Sequence, residues 1–321
     1  MQLSRLRHLF SFRRHELCQS LFQNAWTAHL GLAFISNEPV QVILHSGQTI
    51  QFSRRFRDHQ FWDWFFESEM KGLEFSGDGE VGFSFADSKF LVRPGTTDFY
   101  VFKEIFLRDV YGLAQMAGEF DTVVDLGGNV GMFTCAVLPR SRRVITVEPA
   151  PANFRQAVKN VTRNGGKESD VLPFAVSARS GESVTLHTFD HNPGMNSLSA
   201  QAFRHEDAQS DITVSTISLE DLLAGVSGDV DLLKCDIEGG EFDVFLAAPL
   251  AVLHRLKCIV MEVHVSANNP RSKMEAMIAR IREAKLEVRC DITGKSNGAE
   301  TWMLTAAVPS AMGTFAARNA A

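Results

Sequence analysis

Val123-Val124-Asp125-Leu126-Gly127-Gly128-Asn129-Val130-Gly131 is the stretch on which the fold turns. Two β-branched apolar residues lead into an acid, a loop with three glycines follows, and an apolar stretch comes next. The pattern predicts a buried strand, a tight turn and a helix start. Gly127 and Gly128 let the backbone take positive φ and let a ligand approach closely, because neither has a Cβ.

The spacing of those glycines narrows the ligand. A dinucleotide site needs G-x-G-x-x-G, whereas here the glycines read G-G-x-x-G, with Asp125 two residues before the first. The D-x-G-x-x-x-G spacing is similar to that of S-adenosylmethionine-dependent methyltransferases. That cofactor has no pyrophosphate, so the loop must accept an amino-acid tail and leave room for a sulfonium. Asp125 is expected where the cofactor's ammonium would lie, acting through charge-assisted hydrogen bonds, or else tying down the loop's own N–H groups.

On both sides of this loop the pattern is legible. From residue 121 strands and helices alternate, the sign of a parallel sheet with helices on both faces. Strands are expected at 122–126, 143–147, 171–177, 229–236 and 258–263, with 288–292 and 301–308 closing the sheet. Pro151 suits a first helical turn; Phe154, Ala157, Val158 and Val161 share a face, and Gly165-Gly166 stop that helix. Further strands at 183–189 and 212–217 enclose a polar loop, 190–211. A short helix is expected at 219–223 and an amphipathic one at 274–285. Upstream, 1–35 reads as helical, 39–52 as a hairpin about Ser46-Gly47, 61–66 as an aromatic helix face, 83–93 as one strand and 100–115 as a helix. A boundary near residue 90 separates a smaller mixed N-terminal extension, 1–90, from a main domain, 91–309, with a frayed tail at 310–321.

Bulk properties exclude several classes. The chain has 321 residues, 45% of them hydrophobic, and a formal net charge of -6. That balance argues against nucleic-acid binding, which needs Lys and Arg to neutralise phosphates. No run approaches the roughly 18 apolar residues of a membrane span, and no signal peptide is expected. Cys18, Cys135, Cys235, Cys258 and Cys290 form no C-x-x-C pair, so reduced thiols and a cytoplasmic location are expected.

The candidate chemistry gathers at strand ends. Glu148 follows Gly127 by 21 residues, the position from which a carboxylate accepts both ribose hydroxyls of an adenosine cofactor. Leu232-Leu233-Lys234-Cys235-Asp236-Ile237-Glu238-Gly239-Gly240-Glu241 is an apolar strand that ends in three carboxylates. Ligands in open α/β sheets bind outside such ends, so Asp236 is expected to share the crevice with the glycine loop. His264 ends the next strand and can take a proton near neutral pH. His187 and His191 flank Asp190 but fall at a strand end, where i,i+4 does not align two rings, and no metal is assigned.

Asp125 to Gly131, Glu148-Pro149, Asn153-Phe154, Asn160, Asn164, Lys234 to Glu241 and Glu262-Val263-His264 together resemble the FkbM-type methyltransferases. Arg93, Asp98 and Tyr111 resemble that family's lead-in, and Leu219-Glu220-Asp221-Leu222 its short helix before the fourth core strand. Gly128 and Gly240 stand where the family often has alanine, and Met132 where an aromatic is common. The resemblance implies a Rossmann-like, seven-stranded methyltransferase fold using S-adenosyl-L-methionine, with O-methylation of a hydroxyl on a sugar, glycan or secondary metabolite. It implies cofactor contacts from Asp125, Gly127, Gly128, Asn129, Gly131, Glu148, Pro149, Asn153, Ser177 and Asp236. Asp236, Glu238 and His264 stand near the reacting centre, and Arg93, Asp98 and Tyr111 on the acceptor side. Transfer to nitrogen or to a protein, a nicotinamide oxidoreductase and a catalytically silent nucleoside-binding module stay open at this point.

Overall fold

The computed structural model describes residues 12–33, 40–47, 49–52, 71–76, 80–93, 96–116, 118–189, 209–296 and 298–312. The expected aromatic helix at 61–66, most of the polar loop at 190–211 and the chain beyond 312 lie outside them. Two compact units divide the chain, 1–100 and 101–321.

In the first unit, helices α1 (Phe12–Leu21) and α2 (Ala25–Ala33) precede the hairpin β1 (Val40–Ile43) and β2 (Thr49–Phe52). Asn24 joins them: its side-chain amide donates to the Gln41 carbonyl (3.0 Å) and accepts from the Ile43 N–H (2.8 Å). A three-stranded antiparallel sheet follows, β3 (Lys71–Phe75), β4 (Val81–Phe85) and β5 (Ser88–Val92). The single strand expected at 83–93 is thus a hairpin. Its turn is Ala86-Asp87, with Ala86 at φ 50°. No glycine marks that turn, and alternation continues through it, which hides the reversal from the pattern. Phe83 and Phe90 face each other across it, ring centroids 5.5 Å apart.

The helix expected at 100–115 is broken. Helix α3 (Asp98–Phe102) widens into a π turn at Lys103–Leu107, and a 3-10 turn follows at Leu113–Gln115. Asp109 sits at φ 47°, and its carboxylate accepts from the N–H groups of Leu113 (2.6 Å) and Ala114 (3.0 Å). A short acid offers the backbone this alternative to helix, and Gly112 completes it at φ 70°.

The second unit is built on a seven-stranded sheet ordered Glu287–Ser296, Ala299–Ala307, Cys258–Val265, Leu232–Cys235, Phe120–Leu126, Ser141–Val147, Val171–Leu172. In chain order the unit runs β6 (Phe120–Leu126), α4 (Met132–Val137), β7 (Ser141–Val147), α5 (Pro151–Arg163), β8 (Val171–Leu172), β9 (Ala175–Ser177), β10 (Ser183–Phe189) and β11 (Gln209–Ser218). Then come α6 (Leu219–Ala224), β12 (Leu232–Cys235), α7 (Glu241–Ala247), α8 (Leu250–Leu253), β13 (Cys258–Val265), α9 (Arg271–Glu283), β14 (Glu287–Ser296), β15 (Ala299–Ala307) and α10 (Pro309–Met312). β15 runs against both its neighbours; the remaining pairs in the sheet are parallel.

The third strand expected at 171–177 splits. β8 stays in the main sheet, while β9 pairs with β11 in a second sheet ordered β10-β11-β9. Pro173 lies at the break and has no N–H to continue the ladder.

Alternation along the central strands sorts the two faces. Val124, Leu126, Leu233, Cys235, Ile259 and Met261 pack in one core with Leu219, Leu222, Phe242, Phe245, Met277 and Ile281. The alternate positions include Asp125, Thr146 and Lys234, which stand in register across β7, β6 and β12. A polar row therefore crosses the middle of the sheet, directly below the glycine loop.

Candidate active site

The glycine loop, Glu148, Asp236 and His264 sit where parallel strands end. Gly127 and Gly128 leave β6, and both N–H groups donate to the Val147 carbonyl (2.9 and 3.0 Å). Gly127 and Gly131 have φ 76° and 80°, as residues of this turn must. Gly128 does not take positive φ; there a Cβ would meet Thr146 Cγ2 at 2.2 Å. Space filled by Thr146 is what demands glycine at that position, which explains the departure from alanine.

The loop is held from below and from behind. Lys234 Nζ donates to the Gly127 carbonyl (2.7 Å) and to that of Leu126 (3.3 Å), and lies 3.3 Å from Asp125 Oδ1. The Thr134 hydroxyl donates to Asp125 Oδ2 (2.8 Å) and pairs with the Thr146 hydroxyl (2.7 Å). Asp125 is wholly buried; Oδ2 accepts from Thr134, while Oδ1 faces Lys234 without a hydrogen-bond donor. Burial opposes the Lys234 charge, yet Asp125 and Asp236 outweigh it and raise the lysine's pKa. From α5 the Asn160 amide donates to the Val130 carbonyl (2.8 Å).

Glu148 caps β7. Its two carboxylate oxygens accept from the N–H groups of Asn129 (2.8 Å) and Ala150 (2.9 Å). Each oxygen keeps a lone pair for a further donor. Burial pushes its pKa up to about 7 against those two hydrogen bonds. Asn129 stands at φ 48°, and its Oδ1 is buried without a hydrogen-bond partner. Pro149 and the buried Asn153 follow at the start of α5.

At the tips of β12 and β13 the charges converge. The Asp236 N–H donates to the Leu126 carbonyl (3.1 Å), which locks this tip to the glycine loop. The Tyr111 hydroxyl donates to Asp236 Oδ2 (2.9 Å), while Asp236 Oδ1 is buried and unpartnered. His264 places Nε2 3.4 Å from Glu238 and Nδ1 3.2 Å from Glu241. Glu241 Oε1 also accepts from the N–H groups of Ile237 and Gly239. Burial works against a charged His264, but Glu238 and Glu241 override it and hold its pKa well above the ordinary value. Burial, with repulsion from Asp236, pushes Glu238 up to about 8 against His264, and Glu262 up to about 7.

These shifts share a sign. The raised carboxylates and His264 all bind more protons folded than unfolded, so stability is lost as pH rises through their folded values. Thermal unfolding is expected to show Tm falling between pH 6 and 8.5, by about 2–4 °C per kcal/mol withdrawn in a unit of this size. A Tm that climbs across that window contradicts this arrangement.

A profile described as the Methyltransferase FkbM domain matches residues 125–287. The chain belongs to the FkbM methyltransferase family. The matched region opens on Asp125 and contains the glycine loop, Glu148 and both charged strand tips. Methyltransferase 1 of Beauveria bassiana is 30% identical over 166 residues, 45% of this chain and 65% of that protein, just under two thirds of its length. Methyltransferase sdnD of Sordaria araneosa is 23% identical over 208 residues, 56% of this chain and 79% of that protein. Among solved structures, the methyltransferase FkbM of Methylobacillus flagellatus KT is 13% identical. It covers 66% of this chain and 48% of its own, with a TM-score of 0.37.

The other candidate residues of this FkbM-family chain divide between the two units. Tyr111 joins the cluster through Asp236. Arg93 and Asp98 belong to the first unit and pair with each other: the guanidinium donates to Asp98 at 2.8 and 2.7 Å, and the Arg93 N–H adds a third bond at 2.9 Å. Ser177 lines a cleft of about 270 Å³ with Ser180, Ser218 and Asp221. His187 Nδ1 pairs with Asp211 across β10 and β11 (2.7 Å); His191 lies outside the described residues. Two residues without an assigned role carry structural weight: Lys234 beneath the loop and Glu241 behind His264. No helix among the described residues is long and apolar enough to cross a membrane.

Proposed function

We propose that this chain is an S-adenosylmethionine-dependent methyltransferase acting on a hydroxyl of a small-molecule or glycan acceptor. The observation that carries the reading is the joining of two tips by one hydrogen bond, Asp236 N–H to the Leu126 carbonyl, which brings the cofactor loop beside the carboxylate cluster. The residues fit the cofactor. Asn129 Oδ1 is an orphaned acceptor at the loop, and Glu148 retains an acceptor on each oxygen for the two ribose hydroxyls.

S-adenosylmethionine, when bound, supplies an electrophilic methyl whose bond to sulfur breaks with its electron pair left on sulfur as the acceptor oxygen takes the carbon. The chain's work is to orient the acceptor, exclude water and receive the hydroxyl proton. Asp236 is the favoured proton acceptor. Tyr111 fixes one of its oxygens and leaves the other without a donor. His264 stands between Glu238 and Glu241 and orients the carboxylates of the cluster.

Calorimetry with S-adenosylmethionine tests the reading. Binding is expected for the unaltered chain, and Glu148→Gln is expected to weaken it by about tenfold or more through loss of charged hydrogen bonds to the ribose. Donors favour the ionised carboxylate, so affinity is expected to fall below pH 7, by up to about tenfold per pH unit. Absence of binding at millimolar cofactor overturns the proposal. A methyl-transfer assay across alcohols, amines and protein acceptors then separates oxygen from nitrogen transfer.

A further inference from the structure

We propose that the tips of β12 and β13 hold a divalent cation, bound by Asp236, Glu238 and His264. One ligand atom from each lies within 4.8 Å of the others. An octahedral ion with bonds of about 2.1–2.4 Å separates its ligand atoms by about 3–4.6 Å, so this set needs little movement to close on one.

Two further observations point to an ion rather than to a self-contained ion pair. The first is the outer shell. A metal-binding imidazole is oriented by a carboxylate on its other nitrogen. Here Glu241 lies 3.2 Å from His264 Nδ1, and Nε2 is left facing Glu238. Glu241 is itself fixed by two backbone N–H groups. Tyr111 plays the same part for Asp236, donating to Oδ2 and leaving Oδ1 open.

The second is a shortage of positive charge. Asp236, Glu238, Glu241 and Glu262 surround one imidazole, and the nearby Lys234 is drawn to Asp125 and the loop carbonyls. Asp236 Oδ1 and Glu241 Oε2 are both buried without a hydrogen-bond donor. A carboxylate oxygen can only accept, so such an atom calls for a donor or a cation. Two oxygens and one imidazole nitrogen suit an ion such as Mn²⁺. Three protein ligands leave positions for other oxygens, and an acceptor with two adjacent oxygens is the class such an ion would seat. That role rests on the methyl-transfer reading; the binding of the ion does not.

The test is Mn²⁺ binding to the full chain after chelator treatment, followed by electron paramagnetic resonance. One ion per chain is expected, with affinity lowered at least about tenfold in Asp236→Asn and Glu238→Gln, and also in Glu241→Gln, which keeps an oxygen for the Ile237 and Gly239 N–H groups but weakens the support of the far nitrogen of His264. No stoichiometric binding to the unaltered chain at millimolar Mn²⁺ overturns the proposal whatever the variants do. So does stoichiometric binding that all three substitutions leave unchanged. Calorimetry with S-adenosylmethionine on the same sample keeps the two readings apart. Cofactor binding without Mn²⁺ binding removes the ion alone, and the reverse removes the methyltransferase reading alone.

Discussion

Asp236→Asn is expected to lower kcat by about 10²–10⁴-fold, the range for loss of a positioned proton acceptor. The substitution keeps the shape of the side chain and an oxygen able to accept from Tyr111. It also keeps the backbone N–H that bonds Leu126. What it removes is the charge and the basicity at Oδ1. The dissociation constant for S-adenosylmethionine should therefore stay within about threefold, under roughly 0.7 kcal/mol. Steady-state kinetics beside calorimetry checks both halves. Undiminished turnover removes Asp236 from the chemistry. Lost turnover with equally lost cofactor binding shifts its role to the loop.

Gly127→Ala is expected to destabilise the second unit by about 2–5 kcal/mol. A Cβ there meets the Asp236 carbonyl oxygen at 1.8 Å and Asp236 C at 2.9 Å. Backbone at a hydrogen-bonded junction has little room to move, and overpacking costs about 1–3 kcal/mol. The residue also sits at φ 76°, which adds about 1–2 kcal/mol for an L side chain. Gly228 is the control: its φ is 79°, but no atom lies within 4 Å of the added Cβ. Gly228→Ala should show the conformational part alone, about 1–2 kcal/mol. Urea denaturation of the two variants measures the difference. Equal midpoints mean that β6 and β12 yield more easily at their tips than the contact implies.

The residues that made the fold legible are those whose local chemistry has one outcome. Val123 and Val124 before Gly127, Pro151 at a first turn and Gly165 at φ 84° after α5 each act through their own backbone. The places that were not legible depend on a partner or on a weak signal. Ala86 adopts positive φ without being glycine, Asp109 captures two N–H groups that a helix would have used, and Pro173 sends β9 into another sheet. The site divides the same way. Glu148 and Asp236 stand at strand ends that spacing reveals. Lys234 looks in sequence like one more residue of an apolar strand. Its work appears only when register sets it beside Asp125 and under Gly127. Glu241 counts in sequence as one of three carboxylates at a strand end; that it is fully buried behind His264 appears only in the fold.

The pairing of Phe189 with Gln209 is the last rung of the β10–β11 ladder. Facing residues on such a rung lie about 4.5–5.5 Å apart, so whatever runs between them begins and ends at nearly one point. That makes the pair a natural splice site. A segment from a relative, of different length or composition, can be grafted there while the seven-stranded platform keeps its own register. Diversification of this scaffold by chimeric exchange should therefore proceed through a single pair of crossover points.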